Sequence, residues 1–491
     1  MKRVISLLLL VVLTLSLIGC TESTPTENPA TDDNLDQQTA GSAEQTFRVG
    51  FARYDITPQE AVPLGGFGNC DRRIFTSIKS RLYVSCVAIS DEQDNTVLMF
   101  ACDYINPYAS LMNARPVVAQ ATGVPEHQIL VNSSHTHAGP DQGSSQFEGI
   151  QRWITLVNEQ MVKAGQDAMA DRKPATMSYG SIETENLNFI KHYKHTTADG
   201  EVKFFGDNFG TQVLDATTEH TTQIDETMFL VQFEREGDIP VVMASWRAHP
   251  LLDGGSSRTE LSADYIGAFR DAVELQKECH FAYYQGAAGN NNSSSRLVNE
   301  VRTKDTREYG ALLAGYLLDG LENNMTDVGN PGLIQTRYTM LEAEVNHDTD
   351  DLYIAAKEVQ AVWLTTNVFT EAKNVGMPYG IRSPYMANAI VNRYNKEDTA
   401  ISELNAVAIG DHVAFVSAPN ELFDQLGEMT EAGSSYPMTV TLGYTNGYTG
   451  YIPTLYGFEH TSYETDVCWF KPGIGELMVD TFLTMLDEMD G

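Results

Sequence analysis

Beyond residue 46 the chain alternates between short apolar runs and longer amphipathic segments, and that interleaving most restricts what it can become. RLYVSCVAIS (81–90) and NTVLMFACDY (95–104) predict adjacent strands across the polar turn DEQD. MFLVQFER (228–235) and PVVMASWRA (240–248) predict a second such pair. HQILVNSS, HFAYYQG, residues 334–346, LNAVAIG, HVAFVSAP and PMTVTLGY read as further strands. Helices are expected over 108–122, 149–172, SADYIGAFRDAVELQKE, 306–323, 351–366, 385–396, Glu421 to Thr430, and 474–489. Hairpins and helices in one chain predict a large mixed-sheet α/β domain, not an all-α or all-β one. No internal repeat and no interdomain linker is visible after residue 46. Residues 47–491 are therefore expected to form one large domain with insertions.

The N-terminus is of another kind. Lys2 and Arg3 precede an almost purely apolar run, Val4 to Ile18, of signal-peptide length and too short for an ordinary spanning helix. It ends in Leu17-Ile18-Gly19-Cys20, similar to a bacterial lipobox. Residues 1–19 are expected to be a lipoprotein signal peptide, with Cys20 acylated. Residues 20–46 are polar and Thr/Asp/Gln/Pro-rich, and read as a flexible tether. The expected product is a membrane-anchored, extracytoplasmic lipoprotein at the cell surface or in the periplasm.

The formal net charge of −34 repels phosphate backbones, so no nucleic-acid partner is expected. Six cysteines include no CxxC and no zinc-finger spacing, which makes a cysteine metal site improbable. Without Cys20 an odd number is left, so at least one is unpaired or pairs with another chain. Oligomeric state is not readable.

The polar oddities fall at predicted strand ends. His135 and His137 follow HQILVNSS, His249 follows MASWRA, Glu421 follows FVSAPN, and Tyr451 follows PMTVTLGY through a Gly/Tyr-rich turn. Sites in α/β sheets lie outside the carboxyl ends of strands. Neutral imidazoles with a carboxylate suit zinc, and an open position would hold water. Each residue also has a plain explanation. A strand-end histidine before proline is often structural, a glutamate opening a helix answers the dipole, and turn tyrosines usually pack. Two imidazoles at i and i+2 among small residues have less packing rationale. Spacing alone does not bring these segments together.

At these residues the chain resembles the neutral/alkaline non-lysosomal ceramidase family. VGFARYDITPQEAVPLGGFG (49–68), RLYVSCVAISD and SSHTHAGPD are similar to that family's opening, strand and HTH motifs. The resemblance spans roughly residues 47–490. It implies a zinc ion held by His135, His249, Glu421 and Tyr451. It also implies that His137 contacts the substrate carbonyl or shuttles a proton, and that Tyr463, followed by Glu464, is a second functional tyrosine. Where the family carries G-D-V-S-P-N, this chain reads Gly289-Asn290-Asn291-Asn292 and then three serines. Where the family carries a functional arginine, the nearest match is Lys191 in LNFIKHYK. The family's further C-terminal β-domain has no counterpart in this length. The resemblance implies a zinc-dependent amide hydrolase acting on N-acylsphingosine or another N-acyl lipid or small molecule. Two alternatives stay open: a zinc hydrolase of a cell-wall or glycan-linked ester or amide, and a non-catalytic surface binding protein on the same scaffold.

Overall fold

A computed structural model of the chain describes residues 46–67, 73–206, 217–295, 297 and 302–489. The expected signal segment, Cys20 and nearly all of the tether lie outside the described residues, as does Cys70. The described cysteines, Cys86, Cys102, Cys279 and Cys468, are buried thiols.

The main sheet uses β1 (Arg48–Asp55), β2 (Tyr83–Ser90), β3 (Thr96–Cys102), β4 (Ile129–Ser133), β5 (Lys173–Glu183), β6 (Thr227–Arg235), β7 (Val241–Trp246), β8 (His280–Gln285) and β9 (Met325–Gly329). Their order is β8-β7-β6-β5-β1-β2-β3-β4, and β9 pairs with β5 off this path. A second sheet orders β10 (Ile334–Glu344), β11 (Thr399–Ile409), β12 (Val413–Ser417) and β13 (Met438–Leu442) consecutively. The expected mixed-sheet α/β class is what the structure shows.

The strands fall into three copies of one plan. In each copy the first three strands are antiparallel neighbours, and the third is joined through a helix to a parallel fourth. A second helix follows. The copies are β1–β4 with helices Ala114–Thr122 and Glu148–Ala170, β5–β8 with Asp264–Gln276 and Thr306–Asn323, and β10–β13 with Asp424–Gly433 and Ile474–Asp487. The sequence shows no repeat, so the repetition lives in topology alone. In each copy the long insertion lies between the first and second strands: 56–82, 184–226 and 345–398.

Side-chain alternation explains why the three copies assemble. On β3, Leu98, Phe100 and Cys102 face the helices, while Val97 and Met99 face inward. On β7, Val242, Ala244 and Trp246 face helices, and Val241 and Met243 face inward. On β12, Ala414 and Val416 face helices, and Val413 and Phe415 face inward. The three inward faces share one core, so the central strands are buried on both sides and helices form the outer layer. Because first, third and fourth strands run in the same direction, their carboxyl ends share one edge. The insertions leave from that edge.

Candidate metal centre

Each functional side chain follows a strand at that edge. His135 and His137 follow β4, His249 follows β7, Glu421 follows β12, and Tyr444 and Tyr448 follow β13. The loops after β3 and β8 supply supports. Asn132, on β4, ties the edge together. Its amide nitrogen donates to the carbonyls of Gln285 (3.2 Å) and Gly443 (2.8 Å), and its oxygen accepts from the Gln285 N–H at 2.8 Å. One side chain thus joins strand exits from all three copies.

His135 has a left-handed backbone (φ 63°), a strained choice for a non-glycine residue. Its ring is fixed from behind: Nδ1 lies 2.8 Å from the Ile105 carbonyl and 3.0 Å from Asn106 Oδ1. Nδ1 of His249 lies 2.6 Å from the Ala288 carbonyl and 3.1 Å from that of Asn291. A carbonyl accepts only, so both rings carry their proton on Nδ1 and present a lone pair at Nε2. Those lone pairs face the Glu421 carboxylate, at 3.4 and 3.1 Å from Oε2. His137 Nε2 lies 3.0 Å from His135 Nε2. One ring nitrogen from each of His135, His137 and His249 falls within 4.8 Å of the others. A cation among these lone pairs and the buried carboxylate would satisfy them together, and His249 Nε2 has no other hydrogen-bond partner. The donor set fits a zinc-type ion.

Burial first, then the Lys191 ammonium, pushes His249 down to about 4. Burial and the His135 and His249 neighbours push His137 well below its usual range. Burial works to raise Glu421, but positive charge on the His135 and His249 side of the site outweighs it and holds the carboxyl well below the carboxylate range. Neutral imidazoles and an ionised carboxylate are the protonation states a metal requires.

Glu421 does not open a helix, as the sequence suggested; the helix begins at Asp424. Glu421–Leu422 instead pair in parallel with Tyr451–Ile452, because this stretch must span extended between β12 and the helix. Gly289 permits the neighbouring loop to come close: a Cβ there would meet the Glu421 carbonyl oxygen at 2.4 Å. Tyr451 reaches the site as the strand partner of Glu421, its ring parallel to that of His249 at 6.4 Å. The tyrosine touching the carboxylate is Tyr448, whose Oη donates to Glu421 Oε1 at 2.5 Å. Tyr444 Oη reaches Oε2 at 3.4 Å. Sequence reasoning chose Tyr451 over Tyr448 and passed over Tyr444 and Asn106. No signal distinguished them, since left-handed turns at Tyr444 and Asn446 decide which tyrosine turns inward.

Tyr463 packs edge-on against Tyr451 at 5.7 Å and Tyr385 at 5.8 Å. Lys191 is buried; its Nζ lies 2.9 Å from Glu464 Oε1 and 5.1 Å from the Tyr451 ring centre. The GNNNSSS loop is scaffold. Asn290 Oδ1 accepts the Asp424 N–H at 2.7 Å, and the Asn291 carbonyl accepts the His249 N–H at 3.3 Å.

The architecture aligns with the crystal structure of neutral ceramidase from Pseudomonas aeruginosa at a TM-score of 0.66, with 16% identity, over 91% of this chain and 74% of that one. A ceramidase structure described as complexed with C2 aligns equally well, with TM-score 0.66, 15% identity, and 91% and 75% coverage. The fold is that of the neutral ceramidases. No protein-family model matches the sequence, and no curated protein does. The neutral ceramidase fold thus emerges from the backbone, and the histidine cluster lies at its sheet edge.

Proposed function

We propose that this chain is a zinc-dependent hydrolase of an N-acyl amide, held at a membrane by a lipid on Cys20. The observation that carries the reading is the convergence of His135 and His249 Nε2 lone pairs on the Glu421 carboxylate, within the neutral ceramidase fold. His135, His249 and Glu421 would hold the ion, with Tyr451 beside them. Zinc, when bound, supplies a Lewis acid that polarises a carbonyl and acidifies water. The chain supplies the rest. His137, with Nε2 facing the same point and no carbonyl on Nδ1, is free to donate to a carbonyl oxygen as charge develops there. Tyr463 is kept a neutral phenol by burial and the nearby Glu421 and Glu464 carboxylates, and so keeps the O–H with which it can hydrogen-bond the developing oxyanion. Ceramide is the substrate suggested by the structural neighbours' descriptions. Leu17-Ile18-Gly19-Cys20 and the polar tether support lipid attachment and an extracytoplasmic location.

A second reading has its own observation. Phe67, Tyr108, Tyr385, Tyr448 and Tyr463 are half-buried and pack around the cluster, and four of the five end in a phenol. Such a collar also suits a polar or glycan-linked amide. Zinc-loaded protein assayed on N-acylsphingosines of varied acyl length and on N-acylated amino sugars separates the two. Turnover of the lipids alone supports the first, and turnover of the sugars alone supports the second. Zinc binding with turnover of neither removes both and leaves a binding protein.

A further inference from the structure

His137 differs from the other two histidines in how it is held. Its Nδ1 is buried without a hydrogen-bond partner, so beyond the contact of Nε2 with His135, packing and backbone placement set the ring. Both trace to the first insertion. Phe67 meets the His137 ring edge-on, centroids 5.4 Å apart. Gly66, at φ +94°, brings the chain so close that a Cβ would lie 2.5 Å from the ring. Behind them is Arg73, 2% exposed. Its Nη2 donates to the His137 carbonyl at 3.1 Å, and its Nη1 to the carbonyls of Gly65 (2.7 Å) and Leu64 (3.3 Å). Its Nε donates to the Arg258 carbonyl at 3.3 Å, and its guanidinium carbon sits 4.9 Å from the Phe67 ring centre. One planar fork therefore fastens three segments and the aromatic wedge together. A lysine, with one nitrogen, cannot span these carbonyls.

We propose that Arg73, acting through Phe67, is the positioning residue that orients the His137 imidazole toward the reacting carbonyl. The proposal rests on the role given to His137 above. Arg73 touches no metal ligand and is assigned no chemistry of its own.

The test uses Arg73→Lys and Phe67→Leu, each alone and combined with His137→Gln, in the full chain. Zinc content is expected to stay at the wild-type level in all of them. Either single change should lower kcat about 10- to 100-fold, as loss of a supporting contact does, with KM little altered. In the His137→Gln background the same changes should cost less than about twofold, since partners acting as one unit are not additive. Imidazole 15N spectra of the zinc-free protein give a readout without turnover: the His137 signals should move in both variants while those of His249 stay. Equal rate losses in both backgrounds, or unmoved His137 signals in either variant, overturn the proposal. Phe67 is half-buried and its replacement spares the Arg73 hydrogen bonds to the His137, Gly65, Leu64 and Arg258 carbonyls, so it decides the matter if Arg73→Lys fails to fold. Absence of any amide turnover by wild-type zinc protein would sink the functional reading instead, and the spectra would still judge Arg73.

Discussion

Nδ1 of His135 and of His249 is committed to a backbone carbonyl, whereas Nδ1 of His137 is not. Ligand histidines are commonly oriented by such an outer contact, which separates two ligands from one donor held by packing. His249→Ala should lose zinc, while His137→Ala should keep it and lose rate; metal analysis beside kinetics checks both, and equal zinc loss would refute the division. Tyr448→Phe removes the 2.5 Å bond to Glu421 and should weaken zinc affinity about 10- to 100-fold by competition titration with a chelator. The HTH pair was legible because small polar neighbours gave two imidazoles no packing role. Tyr448 was not, because nothing in GYTNGYTGY says which phenol turns inward until the left-handed turns are known.

Elements buried on both faces, such as β3, β7 and β12, were legible from their apolar runs and β-branched residues. β5 was not. It joins the two halves of the main sheet, carries Pro174 and Gly180, and has few fully buried residues, so its pattern is weak. The threefold plan escaped notice because alternation requires apolar residues at given positions without dictating which ones. At this scale Asn132 is the critical side chain. Asn132→Ala would remove the side-chain partner of the Gln285 N–H and of the Gln285 carbonyl, while the Gly443 carbonyl keeps the Thr445 hydroxyl, at about 1–3 kcal/mol for each group left unsatisfied. Chemical denaturation should show that loss, and an unchanged midpoint would show that Asn132 ties nothing together.

At the scale of the whole molecule, one core joins the two large sheets, and buried charge makes the assembly sensitive to acid. In zinc-free protein, unfolded His249 takes up a proton near 6.5, while the folded one does so only at about 4. Between those values the unfolded state binds more protons, so stability falls as pH drops through that window, by roughly 3 kcal/mol at most. Glu464 acts in the same direction lower down. Burial opposes its ionisation, but Lys191 and His192 prevail and hold it far below its ordinary 4.5. Its contribution is present above that value and is lost below it. Glu464→Gln should flatten the acid limb and cost about 3–5 kcal/mol at neutral pH, as breaking a buried pair does. Urea unfolding across pH measures both.

The most direct test is the metal content of the purified full chain beside that of His249→Ala and Glu421→Gln. About one zinc per chain is predicted for the wild type, as a single donor set with one open position requires, with little or none in either variant. Wild-type protein that hydrolyses an N-acyl amide without zinc, or that binds zinc undiminished after both substitutions, would contradict the account.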